Sequence, residues 1–414
     1  MLKKVIQSLF TKGSVAVVNF LILIVTAKYL GISTRGEIGL IMLNLAIIQM
    51  INEIYTGYSL VHFIAKFNVN KIYLNGMLFT LISSIGTNLI LVLLHKQPSE
   101  YAWLLFVSSI IIILNTFNCV VILAKEYYKM YNFLSIFQPV ALLVSIFIFT
   151  NFFGNFTLDS YIWPLIISFA LSFIISSYFV LVYILKPDTK NEFALGAILK
   201  NGLYCQAGVL MYILSGRLSY YLLETKPDVG LYSTASSLIE AVLIITNSVT
   251  PILLSRVAIL GKTDNSIKLT LIFAKLCFLV SVLAVVVIYF LPVQMFTFLL
   301  GDTFVQSKSI MLMLSPGIIF LSFSGIISHY FSGIGNIKMV SFYNFFGFAT
   351  TLILAPILIS KHGIAGAAIT TNIAYFITFV ASTIVFLKIT GVPFSSLFNV
   401  KDDIKELKTV FSGD

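Results

Sequence analysis

Several ionisable side chains of this 414-residue chain fall inside apolar stretches: Lys28, Glu53, Arg217, Glu240 and Lys275. A charge at the centre of a membrane helix costs roughly 2.5–3.5 kcal/mol on insertion scales. Such a group therefore persists for a partner, an ion or a substrate. Glu53, in IIQMINEIYTGYSLVHF, and Glu240, in STASSLIEAVLIITNS, each fit three roles. These are a neutral acid hydrogen-bonded to a neighbour, a site coupling H+ or Na+ movement, and a partner for Arg217. Lys28 stands near the end of the first apolar run, where its stem can snorkel to the interface or its ammonium can meet an anion. Arg217 lies deeper, and Lys275 is expected to snorkel. Amides and hydroxyls accompany them: Asn19, Asn44, Gln49, Asn52, Tyr55 and Tyr58 early in the chain, and Tyr212, Ser215, Tyr220, Ser236, Ser237 and Asn247 later. Their chemistry is that of a wetted polar path, or of polar side chains joining helices. His62 and His329 make no metal pair, and no metal site is expected. There is no Gly-rich phosphate loop and no Ser-His-Asp arrangement. Cys119, Cys205 and Cys277 lack metal-ligand spacing and read as small hydrophobes.

The elements that must position these groups follow from composition. Hydrophobic residues make up 59% of the chain and charged residues 10%, and mean hydropathy is +1.01. A water-soluble domain carries about a quarter charged residues. Apolar stretches of about 20 residues recur, long enough to cross a hydrocarbon core of about 30 Å as helices. The expected fold class is an all-α membrane protein of about twelve transmembrane helices. The spans are expected at 14–32, 38–62, 74–94, 101–124, 133–154 and 161–185, then at 203–222, 230–254, 269–291, 309–331, 340–360 and 364–388. The basic N-terminal stretch reads as a retained first helix.

Net charge is +10, yet the basic residues are scattered at span ends, which argues against nucleic acid as a partner. With the N-terminus inside, Arg35, Lys96, Lys226, Lys308 and Lys361 fall in outer loops, and Lys28, Arg217 and Lys275 within spans. The other eighteen of 26 are cytoplasmic, a positive-inside pattern with both termini cytoplasmic. The expected domains are a six-helix bundle over 1–186, a cytoplasmic linker over 187–202 able to form an interfacial helix, a second six-helix bundle over 203–390, and a cytoplasmic tail over 391–414.

The chain nearly repeats itself. YLGISTRGEIGLIML from Tyr29 and YLLETKPDVGLYSTAS from Tyr221 both cross a polar loop into acid, aliphatic, Gly, Leu. KEYYKMYNFLSIFQPVALLVSIFIF and GNIKMVSFYNFFGFATTLILAPILI form a second echo. Six spans separate each pair, which makes the halves parallel repeats about a pseudo-twofold axis along the membrane normal. Aligning Gly39 with Gly230 sets Glu240 opposite Gln49, one turn from Glu53.

AKYLGISTRGEIGLIML, YYLLETKPDVGLYSTASSLIEAV and GIGNIKMVSFYNFFGFATTLILAPILISKHGIAGAAITTNIAY resemble the bacterial polysaccharide-biosynthesis (O-antigen) flippase family. That family shares a superfamily with multidrug and toxin exporters and lipid II flippases. The resemblance implies transfer of an undecaprenyl-diphosphate-linked oligosaccharide between leaflets of the bacterial cytoplasmic (inner) membrane by alternating access, for O-antigen or capsule. It implies no cofactor, membrane lipids around the chain, and a glycan polymerase and chain-length regulator as partners. On this reading Lys28, Arg217, Tyr58 and Asn247 meet the substrate, while Glu53, Glu240, Gln49 and Asn52 line the cavity or couple an ion. Two alternatives stand beside it. One is a multidrug or cation exporter of the same superfamily; the other is a polytopic glycan polymerase, for which the outer loops are short.

Overall fold

In the computed structural model the described residues are 2–96, 99–153, 157–186 and 194–397, without the side chains of 2–9, 58, 62, 65, 99, 153, 245, 251 and 252. Every regular element among them is helical. In order these are α1 (Leu2–Thr56), α2 (Val61–Lys66), α3 (Val69–Leu93), α4 (Ala102–Ala124), α5 (Tyr128–Phe153), α6 (Asp159–Phe179) and α7 (Leu195–Arg217). There follow α8 (Lys226–Glu240), α9 (Leu243–Leu260), α10 (Asp264–Phe290), α11 (Val293–Leu300), α12 (Ser307–Gly333) and α13 (Ile337–Thr390).

Nine helices among the described residues are long and apolar enough to cross a membrane. Two of them, Phe10–Thr56 and Ile337–Thr390, each hold two of the expected spans. Gly31 (φ 78, ψ 174) and Gly363 (φ 54, ψ −129) break the helical path inside α1 and α13. At Gly31 the backbone enters a region that is essentially closed to residues with a Cβ, so the glycine sets where the first span ends. The chain is a multi-pass helical membrane protein. Its outward faces are correspondingly apolar: Leu81, Ile82, Ile85 and Leu89 of α3 and Leu279, Leu283, Val287 and Phe290 of α10 are all exposed.

Two expected spans are corrected. The span at 230–254 is broken: α8 stops at Glu240, α9 begins at Leu243, and Ala241, Val242 and Ile244 bond to carbonyls three residues back. That tightening to i→i−3 bonding ends an α-helix without proline or glycine. The span at 38–62 also ends early, at Thr56, where the Gly57 N–H closes onto the Glu53 carbonyl at 3.0 Å. Residues 195–202, expected within the linker, form the first turns of α7. Gly202 makes this fit, because a Cβ there would collide with the Ile54 carbonyl of α1. Linker residues 187–193 and tail residues 398–414 lie outside the described residues.

Two compact units divide the chain. One comprises Met1–Leu210, Glu224–Thr234 and Phe296–Val305, the other Met211–Leu223, Ala235–Met295 and Gln306–Asp414. Helices α7, α8 and α11 therefore contribute residues to both. The first unit packs Tyr55, Phe63, Ile72, Phe117 and Val180 in one cluster and Ile38, Ile41, Leu105, Ile146 and Ile162 in another. Polar groups join its helices. Ser168, Ser172 and Ser176 recur every four residues on the buried side of α6. Asn115 of α4 accepts from Ser172 at 3.0 Å and Ser176 at 3.1 Å, and Asn118 donates to Ser177 at 2.9 Å. In hydrocarbon, where apolar packing alone discriminates weakly, small residues and such bonds select the helix partner.

The two echoed motifs also meet within this unit. A Cβ at Gly36 would strike the Lys226 carbonyl, and one at Gly230 would strike that of Ile32. The backbones thus cross at glycine distance, and Lys226 pairs with Glu37 beside the crossing.

The second unit packs Leu253, Val257, Cys277, Phe323, Tyr330, Phe331, Tyr343 and Phe386. Pro316 lies inside α12, where a proline cannot complete the ladder of backbone bonds. Asn372 of α13 answers it. Its Oδ1 accepts from the Gly317 N–H at 2.8 Å, and its Nδ2 donates to the Met313 carbonyl at 2.6 Å.

Candidate functional site

Helix ends carry the charged chemistry. Arg217 is the last residue of α7, followed by a 3-10 turn over Leu218–Tyr221, and Glu240 is the last residue of α8. Both belong to the second unit. The Arg217 Nη2 donates to Glu240 Oε2 at 3.0 Å, with 33% of the arginine and 28% of the glutamate side chain exposed. Ser236, one turn earlier on α8, donates to the other carboxylate oxygen at 3.2 Å. A cation at the end of α7 complements that helix's partial negative charge, whereas an acid at the end of α8 opposes its own. Pairing the two resolves the conflict at α8 and leaves a locally neutral group. Tyr220 is buried beside this turn, while Tyr212 is exposed. Asn247 is exposed on α9.

Glu53, in the first unit, is 8% exposed and one turn from the end of α1. Gln49 Nε2 donates to its Oε1 at 2.8 Å, and Gln206 Nε2 of α7 to its Oε2 at 3.3 Å. Glu53 makes no ion pair among the described residues. Asn52, next to it, is spent on α3: it accepts from Ser83 at 2.6 Å and donates to Ser84 at 3.3 Å. Asn44 donates to the Lys96 carbonyl and Tyr55 to that of Ile72, so these act as joints between segments.

Lys28 is exposed. Its Nζ lies 3.3 Å from the Phe298 carbonyl and 5.2 Å from the centroid of the Phe298 ring. Phe298 stands in the last turn of α11, and a lysine there satisfies a terminal carbonyl and the helix dipole together. The side chain of Tyr58 lies outside the described residues.

The residues singled out therefore gather into two polar groups, Arg217–Glu240–Ser236 in the second unit and Glu53–Gln49–Gln206 in the first, while Lys28 meets Phe298 within the first. Three participants were missed by sequence reasoning. Gln206 and Asn372 are lone amides in apolar runs, and the contact between glycines 36 and 230 was seen only as an echo. Among the described residues no cluster of His, Cys, Asp and Glu could hold a metal ion.

No protein-family model matches the chain, and no curated protein is similar enough to match it. Solved structures do match. The lipid II flippase MurJ, in an inward closed conformation, is 15% identical over 100% of this chain and 93% of its own, with a TM-score of 0.70. An inward-facing multidrug resistance MATE family transporter of the MOP superfamily is 15% identical over 93% of this chain and 96% of its own, also at 0.70. A variant of the Vibrio cholerae MATE transporter VcmN is 15% identical over 96% and 98%, at 0.66. The chain has the all-helical fold of these proteins.

Proposed function

We propose that the chain is a flippase that carries undecaprenyl-diphosphate-linked oligosaccharide repeat units from the inner to the outer leaflet of the bacterial cytoplasmic membrane, by alternating access. It would serve surface polysaccharide synthesis as a carrier rather than an enzyme, alongside a polymerase and a chain-length regulator. The observation that supports this best is a guanidinium paired with an acid at the break of a span. Discontinuous spans mark substrate sites in many transporter folds; Glu240 sits at such an interruption, and Arg217 at the end of α7 is paired with it. A diphosphate and many hydroxyls crossing hydrocarbon would otherwise lose their hydrogen bonds at several kcal/mol each. Arginine presents five donors and matches phosphate geometry, and its bond to Glu240 engages a single terminal nitrogen. Lys28, Tyr58 and Asn247 are further candidates for the glycan or phosphate path. The fold shared with a lipid II flippase is in keeping with a lipid-linked cargo.

Deleting the gene tests the proposal. Lipid-linked repeat units should accumulate facing the cytoplasm, and surface glycan should be lost. The equal likeness to MATE transporters favours one second reading, export of a multidrug or cationic substrate. Unchanged glycan together with altered drug sensitivity in the deletion strain would establish that reading instead.

A further inference from the structure

Gly216 precedes Arg217 at the end of α7 and lies against Tyr375 of α13, which is 5% exposed. A Cβ at Gly216 would collide with the Tyr375 hydroxyl, and the ring Cζ would stand 3.2 Å from it. The same ring reaches α12, where a Cβ at Gly317 would lie 3.1 Å from its Cδ2. One residue before Gly216, the Ser215 carbonyl accepts from Thr351 Oγ1 at 2.9 Å. Thr351 and Tyr375 stand on opposite sides of the Gly363 break, so both arms of α13 (337–362 and 364–390) hold the last turn of α7. The arms meet each other at Gly347, where a Cβ would collide with Thr378 Oγ1. All of these residues belong to the second unit. The last carbonyls of a helix lack intrahelical partners, and the path after Arg217 changes to a 3-10 turn. The end of α7 therefore takes its position from α13 as much as from its own ladder. The side chain meets the same ring, since the Arg217 guanidinium interacts electrostatically with Glu240 first and then with Tyr220 and Tyr375.

We infer that Tyr375 is a positioning residue: wedged between Gly216 and Gly317, it fixes the backbone that aims Arg217 and so sets how tightly the site holds a diphosphate. This deepens the flippase reading, on which the diphosphate rests; the aiming of Arg217 does not depend on it. A guanidinium matches phosphate through a planar fork, and such a match needs its donors within about 0.5 Å of the productive position. An arginine at the frayed end of a helix meets that tolerance only if its Cα is held from outside. Tyr375 holds it with the ring, while the hydroxyl sets how closely α7 approaches and is the reason residue 216 has no side chain.

Arg35, Arg217 and Arg256 are the arginines of the chain. Nitrogen-15 arginine labelling of the full chain in lipid nanodiscs therefore gives three guanidinium groups, and Arg217→Lys identifies one. A guanidinium held through one terminal nitrogen shows two Nη signals, whereas a freely rotating one shows their average. Without ligand, wild-type Arg217 should show two. Tyr375→Ala should merge them and weaken binding of undecaprenyl diphosphate about ten- to a hundredfold, the loss of one charge-assisted bond. Tyr375→Phe should preserve both properties. Gly216→Ala should behave like Tyr375→Ala. Adding Tyr375→Phe to Gly216→Ala should restore both, because the remaining 3.2 Å contact needs only a few tenths of an ångström of give. That rescue carries the test even where Tyr375→Ala does not fold. A single averaged wild-type signal, split signals or unchanged binding in Tyr375→Ala, or failure of the rescue overturns the inference. Absence of undecaprenyl diphosphate binding by the wild type would sink the flippase reading instead, and the Nη signals would still judge the role of Tyr375.

Discussion

At 3.0 Å and about a third exposed, the Arg217–Glu240 pair can serve structure, ligand binding or both, and its variants separate the roles. Arg217→Ala removes a charge-assisted bond worth about 1.5–3 kcal/mol and leaves Glu240 opposed to the dipole of α8. If the pair were only structural, the double variant Arg217→Ala with Glu240→Ala, which strands no charge, would recover most function. A cation needed by a phosphate predicts otherwise. Arg217→Ala and the double variant should both abolish surface glycan at normal expression, while Glu240→Gln should retain more. Arg217→Lys should be intermediate, because a point charge keeps the pairing but loses the fork. Quantifying glycan against membrane-inserted protein decides between them, and recovery in the double variant would remove Arg217 from substrate binding.

Helix interruptions are the features of this fold that apolar runs conceal. Composition placed the spans well where each ends in a charged or polar loop, as at α10 and α12. It gave no sign of the break after Glu240, because no proline or glycine stands there and the flanking residues are as apolar as any. Glu53 was likewise read as lying well inside a span, although α1 ends three residues later. Buried faces were hard to read for a related reason. With lipid on one side and apolar core on the other, hydrophobicity has little periodicity, and small polar residues become the inward signal. Asn372 shows the consequence: a single amide in an apolar run, silent by pattern, yet the partner of both groups freed near Pro316. Asn372→Ala should strand the Gly317 N–H and the Met313 carbonyl at a cost of about 1–3 kcal/mol. Thermal unfolding in detergent should show a lower Tm. Restoring the α12 ladder with Pro316→Ala in the same chain should return most of the loss, and a Tm unchanged by Asn372→Ala would mean that the kink satisfies itself.

Across the whole molecule, orientation is set by charge rather than by packing. The helices are apolar throughout, so the free energy that distinguishes one orientation from its inverse lies in the loops, where lysine and arginine resist translocation. Eighteen of the 26 basic residues fall on one side of the expected topology and five on the other. This expectation depends on counting rather than on three-dimensional contacts, so it can be stated from sequence alone. The polar clusters were only half legible, since the acids stand out by cost while the amides that serve them do not. On the expected orientation Glu53, near the end of α1 that leads to Lys66 and Lys71, would lie toward the cytoplasmic face. A fluorescent protein fused after Thr390 should fluoresce, and alkaline phosphatase fused there should be inactive. Phosphatase inserted next to Lys96 or Lys361 should be active. Moving three lysines from the cytoplasmic loops to the outer ones should erode both signals, since the bias would shrink from eighteen against five to fifteen against eight. An active phosphatase after Thr390 would reverse the assignment of sides and place Glu53 near the outer face.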